Sequence, residues 1–136
     1  MTAFDLKDLW TAGGVLLGIQ VACFSWRTTR EVTVAGKGDI TWLPPADILN
    51  LLSLALVAIG MFAIPLMGVA DVNLARRMLG VAVILFAGHP FALAGHYEMF
   101  NPTTKRSFAY FPVQERIVVG IVCAAAALYS WLAWSR

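Results

Sequence analysis

His89 lies well inside an apolar stretch of helix length and is followed by Pro90. An ionisable side chain within a membrane span is costly and often marks a functional site. Pro90 cannot donate to the carbonyl of Phe86, so the helix is predicted to kink at this point. The carbonyl then needs another donor, which His89 or a water could supply. His89 is either a proton carrier, metal or haem ligand, or substrate anchor, or a neutral imidazole bonded between helices. The second interpretation is favoured because such interhelical bonds are common in membranes.

Other polar side chains are predicted to lie at the same depth as His89. Counting from the ends of the apolar stretches places Gln20, Asn50 and Ser53 in the half of the membrane nearer the two longer loops. Because neighbouring helices of a bundle bring equal depths together, these residues and His89 form a predicted polar intramembrane cluster. No catalytic residue is predicted, since none of the serines has a nucleophile-elbow or triad context.

His96 and Glu98 follow at the end of the same stretch, where water can reach them. They are candidates for an interface or a metal site, but zinc would be short of ligands within this chain. His89 and His96 are seven residues apart, whereas helical metal-ligand pairs usually sit three or four apart. The sequence therefore requires no metal or cofactor. Haem bound through His89 or His96 together with a partner chain is retained as an alternative.

The elements that must position these groups are four apolar stretches, at residues 9–26, 48–68, 78–97 and 117–134. A hydrocarbon core about 30 Å thick needs roughly 20 helical residues, close to the length of each stretch. The composition agrees, with 60% hydrophobic and 13% charged residues. We therefore predict an all-α integral membrane protein, a single domain over residues 1–136 with four transmembrane helices in an antiparallel bundle.

The connections between the helices differ in character. Residues 32–34 and 40–42 alternate β-branched or aromatic with polar side chains around a glycine-containing turn at 36–39, which predicts a short β-hairpin. Residues 98–115 mix aromatic rings with cations, as is typical of a loop at the membrane interface.

An even number of spans places both termini on the same side of the membrane. The loops at residues 27–46 and 98–115 and their flanks carry more lysine and arginine than the opposite side, which favours a cytoplasmic position for these loops in a bacterial-type inner membrane or a plasma membrane. The Arg76 and Arg77 pair argues for the reverse. The net charge of +2 reflects loops facing water and lipid headgroups, and does not suggest nucleic acid.

Small residues recur four apart at three places and predict helix-packing faces: Gly14 with Gly18, Gly88 with Ala92, and Gly120 with Ala124. The leading interpretation is a non-enzymatic accessory or assembly subunit of a membrane complex, or a homo-oligomeric scaffold. Its predicted partners are the lipid bilayer and other membrane subunits or copies of itself. The alternatives are a small oligomeric channel or transporter built around His89, and a haem- or quinone-binding membrane subunit.

Overall fold

The computed structural model describes residues 5–36, 42–69, 71–101, 103–105, 107 and 109–135, and over these residues it contains helices and no strand. The helices are α1 (Leu6–Ala35), α2 (Pro45–Leu66), α3 (Val72–His96) and α4 (Val113–Trp134). All four are long and apolar enough to cross a membrane, as predicted. They indicate a multi-pass membrane protein.

Helix α1 continues well beyond its apolar part, which was predicted to end at Trp26. The hydroxyl groups of Thr29 and Thr33 each donate to the carbonyl four residues earlier, at 2.8 Å. These bonds satisfy the polar β-branched side chains within a helix. The prediction of a hairpin strand at residues 32–34 is therefore wrong, since local alternation over three residues is too short to outweigh continuation of the helix. The rest of the predicted hairpin, at residues 37–41, lies outside the described residues.

Helix α2 contains a π-helical segment, Ala58–Ala63, just before Pro65. Proline removes one backbone donor, and a widened turn is a common way for a helix to absorb such a disturbance. Gly60 lies in this segment, and a β-carbon there would come within 2.8 Å of Cβ of Met78. The π-helical segment therefore brings the α2 backbone close to α3.

Helix α3 contacts the other three helices, whereas α1 and α4 make no contact with each other over their described residues. Glycines of α3 lie against successive positions of α4: Gly80 against Tyr129, Gly88 against Val122, and Gly95 against Glu115. The two helices therefore run in opposite directions. Because glycine has no side chain, the backbone of α3 can lie close to α4. Helices α1 and α4 form the two outer edges of the arrangement.

Apolar side chains pack in two clusters, one on each half of α3. Leu49, Leu85, Ala92, Val122 and Ala126 belong to the cluster nearer the C-terminal end of α3. Leu9, Val57, Met61, Ala75 and Ala82 belong to the other. Buried polar side chains lie alongside the first cluster and extend to Ala82 of the second, whose carbonyl accepts a hydrogen bond from Ser53.

Candidate functional site

Three ionisable side chains from three helices meet in the protein interior. Asp47 Oδ2 lies 3.1 Å from Nε of Arg27, and Asp47 Oδ1 lies 3.0 Å from Nε2 of His89. Arg27 and Asp47 are each 2% exposed and His89 is 5% exposed. We call Arg27, Asp47 and His89 the ionic junction. Since both carboxylate oxygens are engaged, the junction joins α1, α2 and α3 through a single side chain.

The guanidinium of Arg27 also binds groups nearer the membrane surface. Its Nη2 lies 3.1 Å from Oε1 of Glu31, and its Nη1 donates to the hydroxyl of Tyr97 at 2.8 Å. Arg30 donates to the same hydroxyl at 2.6 Å, and its guanidinium stacks 4.9 Å from the Tyr97 ring centre. The planar guanidinium of Arg27 thus uses its fork of donors to connect the interior with the end of α3.

A second buried carboxylate joins three helices beside the ionic junction. Glu115 is fully buried, and its Oε2 lies 2.8 Å from Nδ1 of His96. Its Oε1 accepts a hydrogen bond of 2.7 Å from the backbone N–H of Ala46. The first amides of a helix have no partner within the helix and attract negative charge. Glu115 of α4 therefore caps the N-terminus of α2 at Ala46, the residue directly before Asp47.

Amide and hydroxyl groups form a third cluster, deeper in the apolar region. Gln20 Nε2 donates to Ser53 Oγ, and Ser53 Oγ donates to the carbonyl of Ala82. Asn50 Nδ2 donates to the backbone carbonyl of Gln20 at 3.1 Å. Gln20 Oε1 and Asn50 Oδ1 make no hydrogen bond with a described residue. The structure thus brings Gln20, Asn50 and Ser53 together.

His89, the fourth member of the predicted cluster, pairs with Asp47. Asp47 lies three residues before Asn50 in α2, so the ionic junction and the amide cluster share one face of that helix. A cavity of about 270 Å³ reaches the junction from the loop side, between α1 and the segment before α2. Arg27, Glu31 and Asp47 supply its charged wall, and Val32, Trp42 and Leu43 supply most of its apolar wall.

The structure places His96 and Glu98 in different contacts. His96 pairs with Glu115, whereas the Glu98 carboxylate accepts the backbone N–H of Ser107 and so orders the loop before α4. Among the described residues, no three His, Cys, Asp or Glu side chains are grouped closely enough to hold a metal ion. His89 and His96 each have one ring nitrogen bonded to a carboxylate, so a haem iron would need the other nitrogen.

Sequence reasoning missed the partners of the two histidines. Arg27 and Glu115 belong to the loops at residues 27–46 and 98–115, which were predicted to face water, and Asp47 directly follows the first of these loops, but the structure buries all three side chains. One signal was present: Asp47, Asn50 and Ser53 follow each other at three-residue intervals and therefore share a helix face.

The predicted packing glycines fall into two groups. A β-carbon on Gly88 would collide with the Val122 side chain, so this glycine serves contact within the chain. Beyond its own helix, a β-carbon on Gly14, Gly18 or Gly120 would meet no atom of the described residues within 4 Å. These three glycines lie on outer faces of α1 and α4.

No protein-family model matches this chain, and no match was found among curated proteins or among solved structures.

Proposed function

We propose that the chain is a non-enzymatic subunit of a membrane assembly, which associates with other transmembrane helices through the outer faces of α1 and α4. The proposal includes four helices crossing the bilayer in antiparallel order, with both termini on one side. We further propose that the loops at residues 27–46 and 98–115 are cytoplasmic. A second copy of the chain and a different membrane subunit are the two partners that the experiment below distinguishes.

The observation that carries the proposal is the open space around Gly14, Gly18 and Gly120. Glycine costs about 1 kcal/mol relative to alanine inside a helix, and no contact within the described chain needs its small size at these positions. Close approach of a helix from another chain does need it. Exposed Ala22 and Ala124 continue the two rows, so each edge helix offers a narrow face of small residues.

The interior of the protein supports the same proposal. Asp47 bonds to both Arg27 and His89, and His96 bonds to Glu115, so the buried ionisable groups hold helices together. Interhelical bonds of this kind give a scaffold a fixed shape without any chemical step.

Larger side chains on the outer faces of α1 and α4 should disrupt association with helices of another chain. In G18L/G120L, leucine enters space that is empty within the chain, so the helices should still fold, while the added side chains block close approach of a partner helix. Native mass spectrometry of protein extracted in lipid nanodiscs should show loss of most of the assembled species. The mass of the wild-type assembly separates self-association from a different subunit.

The matched control is A125L, which adds comparable bulk to an exposed position of α4 beside the small-residue row. Association of A125L should resemble that of the wild type. A wild-type protein that is always monomeric, or an assembly that G18L/G120L leaves unchanged, would contradict the proposal.

A channel or transporter is the second candidate, and the polar connection inside the protein favours it. Ionisable side chains lead from His89 through Asp47 to Arg27 and the 270 Å³ cavity, while the amide oxygens of Gln20 and Asn50 lie deeper. If this path carries protons or a polar substrate, H89A should change flux in liposomes, measured across about pH 5 to 8. Unchanged flux would remove His89 from such a mechanism.

A further inference from the structure

A cavity of about 510 Å³ lies at the other end of the protein, between the first turns of α3 and the last turns of α4. Its lining combines polar and apolar side chains: Asn73, Arg76, Arg77, Tyr129, Leu132 and Ala133. We call this the arginine cavity. It is separate from the ionic junction, whose His89 lies toward the opposite end of α3.

The two arginines of this cavity have no carboxylate partner among the described residues. Arg76 Nη2 donates to Oδ1 of Asn73 at 3.1 Å, and the Arg77 guanidinium lies 5.5 Å from the ring centre of Trp134. Neither guanidinium forms an ion pair with a carboxylate in the part of the chain that the structure describes. Most of their N–H donors are therefore open to a ligand, in contrast to those of Arg27.

Tyr129 is fixed at the wall of the arginine cavity by contact with α3. Its ring lies directly against Gly80, where a β-carbon would come within 2.7 Å of Tyr129 Cε1 and closer still to the hydroxyl. The glycine thus lets the tyrosine rest on the helix backbone. The Tyr129 hydroxyl has no hydrogen-bond partner among the described residues and is held beside the two arginines.

We infer that the arginine cavity binds the phosphate group of an anionic lipid headgroup. Guanidinium forks match the oxygens of phosphate, and a tyrosine hydroxyl adds a donor. The site lies at the ends of two apolar helices, where headgroups meet protein, and paired guanidinium groups at such a place attract an anionic headgroup in either leaflet. Exposed Trp131 and Trp134 lie at the same level, as expected for side chains at the membrane interface. The half-exposed Leu132 offers an apolar wall for an acyl chain.

The test compares lipid retention by the wild type and by R76Q/R77Q. Both are reconstituted in phosphatidylcholine nanodiscs with and without phosphatidylglycerol, and bound lipid is counted by native mass spectrometry. The wild type should retain phosphatidylglycerol. Loss of two cations near an anionic lipid should weaken its retention roughly 30-fold.

The control R116Q/K105Q removes the same charge from exposed positions at the opposite end of the protein, and should retain the lipid as the wild type does. Y129F removes only the hydroxyl, so it tests that donor while the aromatic ring remains against Gly80. We expect it to lower retention several-fold. Its unfolding temperature in pure phosphatidylcholine should equal that of the wild type.

Inorganic phosphate added to phosphatidylcholine nanodiscs separates a lipid from a free anion. Suppose that phosphate stabilises the wild type but not R76Q/R77Q, and that the wild type does not retain phosphatidylglycerol. This result would contradict lipid binding and assign the cavity to free phosphate. Equal retention by the wild type, R76Q/R77Q and Y129F would overturn the site itself, as would an equal loss in R116Q/K105Q.

Discussion

Replacement of Asp47 by alanine is expected to lower the free energy of unfolding by about 3–5 kcal/mol, the usual cost of removing one partner from a buried ion pair. Asp47 binds Arg27 at 3.1 Å and His89 at 3.0 Å, and all three side chains are buried. In D47A the Arg27 guanidinium loses its buried counter-charge, and the bonded ring nitrogen of His89 loses its partner. Reversible unfolding with sodium dodecyl sulfate in mixed micelles measures the difference.

Two further variants show whether the loss comes from the unpaired charge. D47A/R27M removes the buried cation together with the carboxylate and should be more stable than D47A alone. D71A removes an exposed carboxylate that caps α3 through the N–H of Asn73 at 2.8 Å, and should cost only about 1 kcal/mol. A loss in D47A no greater than that in D71A would contradict a stabilising role for the ionic junction.

Replacement of Gly95 by alanine should have an effect of similar size, through sterics. The new β-carbon would lie 2.8 Å from the backbone nitrogen of Glu115 and 2.9 Å from the carbonyl carbon of Gln114. Backbone atoms cannot move aside as a flexible side chain can, so α3 and α4 must separate. Separation also stretches the 2.8 Å contact between His96 and Glu115. We expect destabilisation of roughly 3 kcal/mol or more, from overpacking together with the weakened buried pair.

G14A is the matched control for G95A, because it makes the same chemical change in a helix where a β-carbon meets nothing within 4 Å. In detergent, alanine should stabilise this position by up to about 1 kcal/mol, since it has the higher helix propensity. The two variants should therefore shift the unfolding transition in opposite directions. Equal shifts would show that Gly95 is not needed for contact between α3 and α4.

Hydropathy predicts the four helices but not where they end. Apolar side chains stop where the solvent changes from lipid to headgroup, whereas the helical backbone continues as long as its hydrogen bonds are satisfied. Helix α1 therefore reaches Ala35 although its apolar part stops at Trp26, and Arg27 becomes an interior residue of that helix. The strand predicted at residues 32–34 is helical for the same reason.

Depth along a helix could be counted from the sequence, and the structure brings Gln20, Asn50 and Ser53 together. Rotation about the helix axis decides which side chains at one depth face each other, and it depends on packing between helices. For that reason the sequence did not reveal that His89 meets Asp47 or that His96 meets Glu115. Glu115 lay in the predicted loop at residues 98–115, and its bond to the N–H of Ala46 exists only once α2 and α4 are in place.

The start of α2 has a consequence for how the protein is made. Ala46 bonds to α4 through Glu115, while the adjacent Asp47 bonds to α1 and α3. Two consecutive residues therefore link α2 to each of the other three helices. During synthesis Arg27 and Asp47 emerge first and can pair early, whereas Glu115 emerges last. A nascent chain halted before α4 leaves the Ala46 amide and the His96 ring without this carboxylate. These contacts therefore form only after α4 has left the ribosome.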